Sequence, residues 1–379
     1  MGVEVRDVLA AHGDEFLATH ALSAQQRRAF DAMLSCRTAA LGGHVDRCEG
    51  CGHELISYNS CRNRHCPKCQ AMRRERWVAR EGCDLLDVGY WHVVFTVPHE
   101  LACVFWRNQR EMYNLLFRCA WETVSAFAAD RRWMGARTGA TAVLHTWGRQ
   151  LQYHPHVHMV VPSGGLTGRG TWRRCGRDFF APVRAMSKVF RAKLLGGVRR
   201  LAPTLDLGGS AAHLAEGGAL GALVDGLFSK DWVVYCKRPF AGAGAVLAYL
   251  GRYTHRVAIS NARIKSLEGG VETFECRDGG DGRVRECRMA AVEFIRRLLT
   301  HVLPKGLCKI RHHGIPASRG KRERMALCRR LTSTPEPAPA PAPDAATLLR
   351  RMLGRDPTVC PKCGKTLLPM VRMLGPMLC

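Results

Sequence analysis

The sequence lacks any apolar run long enough to cross a bilayer, which takes about 20 residues. Its first residues, MGVEVRD, lack the basic start and the apolar stretch of a secretory signal. We find no internal repeat and no Gly-x-x-x-x-Gly-Lys phosphate loop. The chain is therefore expected to be cytoplasmic, to have no membrane partner and to need no ATP.

Acidic residues are scarce, with 32 Asp and Glu against 57 Lys and Arg, and the formal net charge is +25. This surplus disfavours a simple metabolic enzyme and indicates a polyanionic partner, because basic side chains release counterions when they bind phosphates. A membrane surface or ribosomal RNA would also suit the charge, but we favour nucleic acid. Hydrophobic residues make up 46% of the 379 residues, which excludes a mainly disordered chain.

The middle of the chain alternates predicted strands and helices. Strands are predicted at residues 91–97, 141–147, 157–161, 231–236, 256–264 and 271–276. Helices are predicted at residues 104–129, 246–253 and 290–302, after a helical stretch over about the first 40 residues.

The 18 cysteines of a chain expected to be cytoplasmic are better explained as reduced thiols and metal ligands than as a disulfide framework. Two Cys-x-x-Cys pairs lie close together, Cys48 with Cys51 and Cys66 with Cys69. Each pair presents two thiolates to one tetrahedral ion, so the spacing predicts a structural Zn²⁺ site with no position left for water. A second ion or another ligand set stays open, since further candidates are His44, His53, Cys61 and His65.

Basic side chains surround this predicted zinc site, and a very basic helical stretch follows it at residues 72–80. We predict that six of them contact DNA phosphates. They are Arg62, Arg64, Lys68, Arg73, Arg74 and Arg76.

A third pair, Cys360 and Cys363, lies near the C-terminus. The proline-alanine segment at residues 335–343 separates it from the rest of the chain and is expected to be stiff and extended. The pair is either half of a zinc ribbon or is completed by another part of the chain, and both interpretations stay open.

Residues 154–161 read HPHVHMVV, and alternation along a strand places His156 and His158 on one face with Val157 opposite. Two imidazoles on one strand face offer a divalent-metal site, and a third ligand bearing oxygen would leave positions open for a phosphate. We predict Gln150 as this third ligand, with His154 as its competitor. An isolated His-x-His strand is more often only a polar face. Other histidines are expected to be structural or to face phosphate: His92, His99, His145, His301, His312 and His313.

Tyr249 and Tyr253 are four residues apart in a predicted helix, so both hydroxyls lie on one face, with β-carbons about 5–6 Å apart. A tyrosine can attack a phosphodiester and hold the 5′ end as a phosphotyrosine, which conserves the bond energy for rejoining. Because free tyrosine has a pKa of about 10, a metal would be needed to polarise the phosphate. Arg252 and Arg256 are predicted to hold the bound strand. Helix packing explains most isolated pairs of this kind; the occurrence of zinc pairs, His-x-His and Tyr-x-x-x-Tyr in one basic chain favours catalysis.

Three segments together resemble the signature segments of rolling-circle HUH transposases, and the two-tyrosine kind, insertion-sequence family 91, is the most similar group. They are residues 48–70 (CEGCGHELISYNSCRNRHCPKCQ), 144–165 (LHTWGRQLQYHPHVHMVVPSGG) and 249–261 (YLGRYTHRVAISN). The resemblance implies an α+β fold, in which an HUH-nuclease domain has a central antiparallel sheet flanked by helices and a small zinc-binding domain precedes it. It also implies His156 and His158 as ligands of a catalytic Mg²⁺ or Mn²⁺, and Tyr249 and Tyr253 as nucleophiles.

The expected organisation has four parts. Residues 1–84 form a helical and zinc-binding domain, residues 85–330 the nuclease domain, residues 331–347 a Pro/Ala linker, and residues 348–379 a tail with a Cys-x-x-Cys pair. The expected function is a transposase that nicks and rejoins single-stranded DNA at the ends of a mobile element through 5′-phosphotyrosine intermediates. A replication initiator or relaxase with the same chemistry and a non-enzymatic zinc-dependent DNA-binding protein are the alternatives. The oligomeric state is left unknown.

Overall fold

The computed structural model describes residues 2–176, 180–240, 242, 244–246, 249, 251, 258–277, 283–337, 344–354 and 356–373. The helices in this part of the chain are α1 (Val5–Thr19), α2 (Ala24–Leu34), α3 (Pro67–Gly82), α4 (Ala102–Arg107), α5 (Gln109–Ala129), α6 (Val183–Leu201), α7 (Ala219–Ser229), α8 (Ala291–Thr300), α9 (Lys321–Thr332) and α10 (Ala345–Leu353). The strands are β1 (Gly43–Cys48), β2 (Glu54–Tyr58), β3 (Tyr90–Thr96), β4 (Gly139–Trp147), β5 (Tyr153–Pro162), β6 (Gly164–Leu166), β7 (Trp172–Arg174), β8 (Val234–Phe240), β9 (Ile264–Glu268), β10 (Val271–Arg277), β11 (Val284–Ala290), β12 (Ile310–Gly314) and β13 (Leu367–Met373). Among the described residues, no helix is both long and apolar enough to span a membrane.

Five antiparallel strands form the central sheet, in the order β12-β4-β5-β3-β8. Three smaller sheets have the orders β13-β1-β2, β11-β10-β9 and β6-β7. A central antiparallel sheet between helices confirms the predicted α+β class.

One face of the central sheet is covered by α5 and α6. Alternation along β5 turns Val157, Met159 and Val161 into this core, where Phe117 of α5 and Phe190 of α6 are also fully buried. Burial of each such side chain contributes roughly 1.5–3 kcal/mol. The opposite face of β5 is therefore the one that carries its histidines.

Helix α3 lies over that opposite face. Pro67 occupies the first turn of α3, where its missing N–H has no partner to lose. Trp77 of α3 packs against Val143 of β4 and Val160 of β5. The hydroxyl of Thr141 donates to the Glu81 carboxylate at 3.1 Å, which fixes the far end of the helix on the sheet.

The N-terminal helices share a hydrophobic core with the chain segment after residue 258. Phe16 of α1 and Phe30 of α2 are buried in the same cluster as Phe274 of β10 and Phe294 of α8. Across β10 and β11, Cys276 and Cys287 form a disulfide, so these two cysteines differ from the reduced thiols that were expected. The predicted domain boundaries at residues 84, 330 and 347 stay predictions, and residues 338–343 of the linker lie outside the described residues.

Three predicted elements differ from the structure, and the first is the strand predicted at residues 231–236, which begins only at Val234. The helix predicted at 104–129 is two helices that meet at Asn108, whose backbone (φ −119°, ψ 47°) is not helical. The strand predicted at 256–264 is wrong over its described residues 258–263, because Ala258 has a φ of 55° and residues 261–263 form a 3-10 turn. A left-handed residue of this kind breaks the extended backbone of a strand.

Candidate active site

Three histidines converge on the face of the sheet beneath α3. His145 of β4 is the register partner of His156 of β5, and His158 lies two residues further along the same face of β5. Their ring nitrogens lie within 4.8 Å of one another. The Nδ1 atom of His156 lies 2.8 Å from the carbonyl oxygen of His154, so this nitrogen carries the proton and Nε2 holds the lone pair.

Burial disfavours the charged forms of His156 and His158. Desolvation lowers the pKa of His156 to about 4, and it lowers the pKa of His158 well below its ordinary value, with further lowering by the neighbouring histidines. A neutral imidazole is the form that binds a metal. Three converging imidazoles therefore fit a divalent cation by the chemistry of the donor set.

The phenol of Tyr249 lies against this cluster. Its Oη atom is 2.5 Å from Nε2 of His92 and 3.0 Å from Nδ1 of His158. The two histidine nitrogens are themselves 2.9 Å apart. Tyr249 lies on helical backbone that approaches α3 closely, since a β-carbon at Gly251 would be 3.2 Å from a methyl group of Val78. Strand β3 thus supplies His92, strand β5 supplies His158, and α3 supports the tyrosine from above.

Two residues of this site, His92 and His145, were expected to be structural or to face phosphate. Both lie on segments that were predicted as strands, and both are buried. Gln150, predicted as the third ligand, is exposed on the loop between β4 and β5, where it lines a surface groove with His154. The third histidine that the sheet brings to His156 and His158 is His145, whereas the role of the exposed Gln150 as a ligand stays a prediction.

A further buried histidine, His301, lies outside the three-histidine cluster and holds the loop that carries Gln150. His301 donates from Nε2 to the carbonyl oxygen of Leu151 at 3.0 Å, and its Nδ1 accepts from the hydroxyl of Thr146 at 3.1 Å. Burial lowers the pKa of His301 to about 4. This residue is structural, as the sequence analysis expected of it.

Tyr253, Arg252 and Arg256 lie outside the described residues. Their predicted roles stay predictions.

The structure divides the four cysteines of the predicted zinc site between two clusters. Cys66 and Cys69, at the start of α3, meet Cys36 and Cys61, with sulfur–sulfur distances of 3.5 and 3.6 Å. Cys48 and Cys51 instead meet the C-terminal pair. The reason is that Cys48 and Cys51 form the tip of the β1–β2 hairpin, and the five residues of β2 carry the chain about 16 Å from that tip before Cys61. One site of Cys48, Cys51, Cys66 and Cys69 is therefore corrected to two sites of four thiols.

Two of the predicted DNA contacts are internal. The guanidinium of Arg64 donates to the carbonyl oxygens of Leu303, Pro304 and Leu307 at 2.8–3.1 Å. Lys68 forms an ion pair with Glu4. Both side chains therefore have internal partners, and their predicted contacts with DNA phosphates stay predictions.

The other four basic residues differ in their surroundings. Arg74 is half-buried and pairs with Glu75 at 2.8 Å. Arg62, Arg73 and Arg76 are exposed, on the segment that carries Cys61, Cys66 and Cys69 and on α3. The group of Cys36, Cys61, Cys66 and Cys69 is called the first cysteine cluster below.

Comparisons with known proteins agree along most of the chain. Residues 139–324 match a family described as "Putative transposase", and residues 8–97 match the "Transposase zinc-binding domain" of the IS91 type. The chain is 43% identical over 370 residues to "Putative transposase y4qJ" of Sinorhizobium fredii, which covers 96% of this chain and 93% of that protein. It is 28% identical over 335 residues to the "Transposase for insertion sequence element IS801" of Pseudomonas savastanoi pv. phaseolicola, covering 88% and 80% of the two chains. No solved structure matches.

Proposed function

The chain belongs to the IS91-type transposases, and we propose that it nicks and rejoins single-stranded DNA at the ends of its mobile element through 5′-phosphotyrosine intermediates. One observation carries the proposal: the Tyr249 phenol lies 3.0 Å from His158, a member of the three-histidine cluster. The proposed nucleophile and the proposed cation site are therefore adjacent. A replication initiator or relaxase would use the same chemistry, but the matched families are transposases.

In this proposal His145, His156 and His158 hold the divalent cation. When bound, the cation polarises the scissile phosphate and stabilises the departing 3′ oxygen. Three nitrogen ligands favour Mn²⁺ over Mg²⁺, because Mg²⁺ prefers oxygen ligands and keeps its water. Either ion was expected from the sequence, and the ligand set favours Mn²⁺ of the two.

Tyr249 is the attacking group. Its proton passes to Nε2 of His92, 2.5 Å away, while the Nδ1–H of His158 donates to the same phenol oxygen and stabilises the charge that develops there. The phenol oxygen bonds to phosphorus, the bond to the 3′ oxygen breaks, and the 5′ end stays on the protein. Reversal of these steps with another 3′ hydroxyl rejoins the strand.

A second tyrosine would allow a second cleavage before the first strand is released. We retain Tyr253 for this role on the four-residue spacing, with Arg252 and Arg256 as contacts to the bound strand. We also propose that Arg62, Arg73 and Arg76, exposed beside the first cysteine cluster, contact phosphates of the element end.

The test is covalent capture of a labelled single-stranded oligonucleotide that carries an element end. The protein should form an adduct that survives denaturation, and it should require Mn²⁺ or Mg²⁺. The Tyr249→Phe/Tyr253→Phe double variant should form none, whereas Tyr58→Phe, at an exposed position on β2, should behave as the unchanged protein. An adduct from the double variant would show that the nucleophiles are elsewhere, and no adduct under any condition would favour a non-enzymatic DNA-binding protein.

A further inference from the structure

Four thiols from the two ends of the chain meet in one cluster. Cys48 and Cys51 come from the tip of the β1–β2 hairpin, and Cys360 and Cys363 come from the segment before β13. Their sulfur atoms lie within 4.8 Å of one another, with 3.3 Å between Cys48 and Cys363 and 3.8 Å between Cys51 and Cys360. A tetrahedral Zn²⁺ with Zn–S bonds of about 2.3 Å requires sulfur atoms about 3.8 Å apart.

The two Cys-x-x-Cys turns have the same backbone. The N–H of Gly52 donates to the carbonyl of Cys48 at 3.0 Å, and the N–H of Gly364 donates to the carbonyl of Cys360 at 3.0 Å. In each turn the first cysteine donates its own N–H to the carbonyl of the residue after the glycine, at 2.9 and 2.8 Å. Both glycines have φ in the left-handed region, 67° and 75°, which a residue with a side chain adopts only with strain. Two equivalent turns thus face each other, each offering two thiols.

The C-terminal segment also pairs with the hairpin through its backbone. Strand β13 pairs with β1 over its full length, from Gly43 opposite Met373 to Cys48 opposite Leu367. Among the side chains that the structure describes here, Cys48, Cys360 and Leu367 are buried, with Leu55 packed beside them. A structural metal is one of the usual means by which a small element of this kind is held together.

Polar and cationic groups lie beside the sulfur atoms. The backbone N–H of Lys362 donates to Sγ of Cys360 at 3.4 Å. The Lys365 side chain lies over Gly50, where a β-carbon would be 2.2 Å from its Cδ atom. A cationic chain beside the cluster offsets part of the negative charge that four thiolates leave on a Zn²⁺ site.

We propose that Cys48, Cys51, Cys360 and Cys363 bind a second structural Zn²⁺, and that this ion fastens the C-terminal segment to the N-terminal hairpin. The matched zinc-binding domain covers residues 8–97 and contains only half of this ligand set. The other ion belongs to Cys36, Cys61, Cys66 and Cys69. The chain then carries two Zn²⁺ ions, and the second site forms only when both ends of the chain are present. This proposal is independent of the cleavage chemistry.

The first test is the zinc content of the purified full-length protein. Two ions per chain are expected in the unchanged protein and one in the Cys360→Ser/Cys363→Ser variant. The matched control is Cys83→Ser/Cys308→Ser, which removes two exposed cysteines outside both clusters and should keep two ions. One ion in the unchanged protein, or two in the Cys360→Ser/Cys363→Ser variant, would overturn the proposal.

The second test uses the unchanged protein and so does not depend on the folding of a variant. Cys51 and Cys363 are exposed, as are Cys83 and Cys308. Under native conditions an alkylating reagent should modify Cys83 and Cys308 quickly but spare Cys51 and Cys363. After a zinc chelator is added, all four should react. Equal reactivity before chelation would overturn the proposal, and so would protection that only a disulfide reductant removes.

Discussion

His92 provides the sharpest test of the proposed cleavage, because it is the nearest group able to accept the Tyr249 proton. The distance of 2.5 Å between Nε2 and the phenol oxygen is that of a strong hydrogen bond. Loss of a positioned general base lowers a rate by about 10²–10⁴-fold. A glutamine at position 92 retains an acceptor at similar reach but cannot take up the proton. We expect His92→Gln to form the covalent adduct about 100-fold more slowly, which corresponds to about 2.7 kcal/mol in the activation free energy.

The assay is single-turnover formation of the adduct with excess protein and saturating Mn²⁺. Mn²⁺ affinity, measured separately, should change by less than about threefold in His92→Gln, because His92 is outside the three-histidine ligand set. His99→Gln, which replaces an exposed histidine, serves as the matched control and should cleave at the normal rate. Normal adduct formation by His92→Gln would refute the proton-acceptor role, and a slow rate that tracks a large loss of Mn²⁺ affinity would assign His92 to the cation site instead.

Three further predictions concern His145, Arg64 and His301. His145→Ala should weaken Mn²⁺ binding at least about tenfold, while Gln150→Ala should leave it unchanged; the reverse result in a metal titration would restore Gln150 as the ligand. Arg64→Met should lower the free energy of unfolding by about 3 kcal/mol, because it leaves three carbonyl groups without their charged donor. Arg62→Met, the control, should leave the free energy of unfolding unchanged. Equal denaturation midpoints for the two variants would instead favour Arg64 as a DNA contact. His301 has its pKa lowered to about 4 by burial, so the unfolded chain binds a proton first as the pH falls, and stability present above about pH 6.5 is lost as the pH falls towards 4. This difference contributes up to about 3 kcal/mol, and a His301→Gln variant whose stability falls as steeply with pH as that of the unchanged protein would contradict the assignment.

The central sheet shows which structural features the periodicity of the sequence predicts correctly. The alternation in residues 154–161 placed His156 and His158 on one face, and β5 has that arrangement. The amphipathic helix predicted at residues 290–302 is α8, close to the predicted bounds. Helices α6, α7 and α9 were not predicted. The break at Asn108 was missed because a one-residue departure from helical dihedrals hardly changes the apolar pattern around it.

The site was predicted in part. His156, His158 and Tyr249 were named from local spacing, and they lie together. His92 and His145 were missed since each is a single histidine on its strand, with no local signal. Their position depends on register: His145 lies opposite His156, while His92 is two residues away from the partner of His158 on β3.

The cysteines show which features the sequence alone determines and which depend on the tertiary structure. Sequence alone determined that they occur as Cys-x-x-Cys pairs, because a tight turn holding two thiols is a property of a few adjacent residues. It also determined the family and the excess of positive charge. Only the tertiary structure decided which pairs lie together, because that depends on where two strands carry the ends of the chain. Cys48 lies eighteen residues from Cys66 along the chain, yet its cluster is completed by Cys360 and Cys363 from the opposite end.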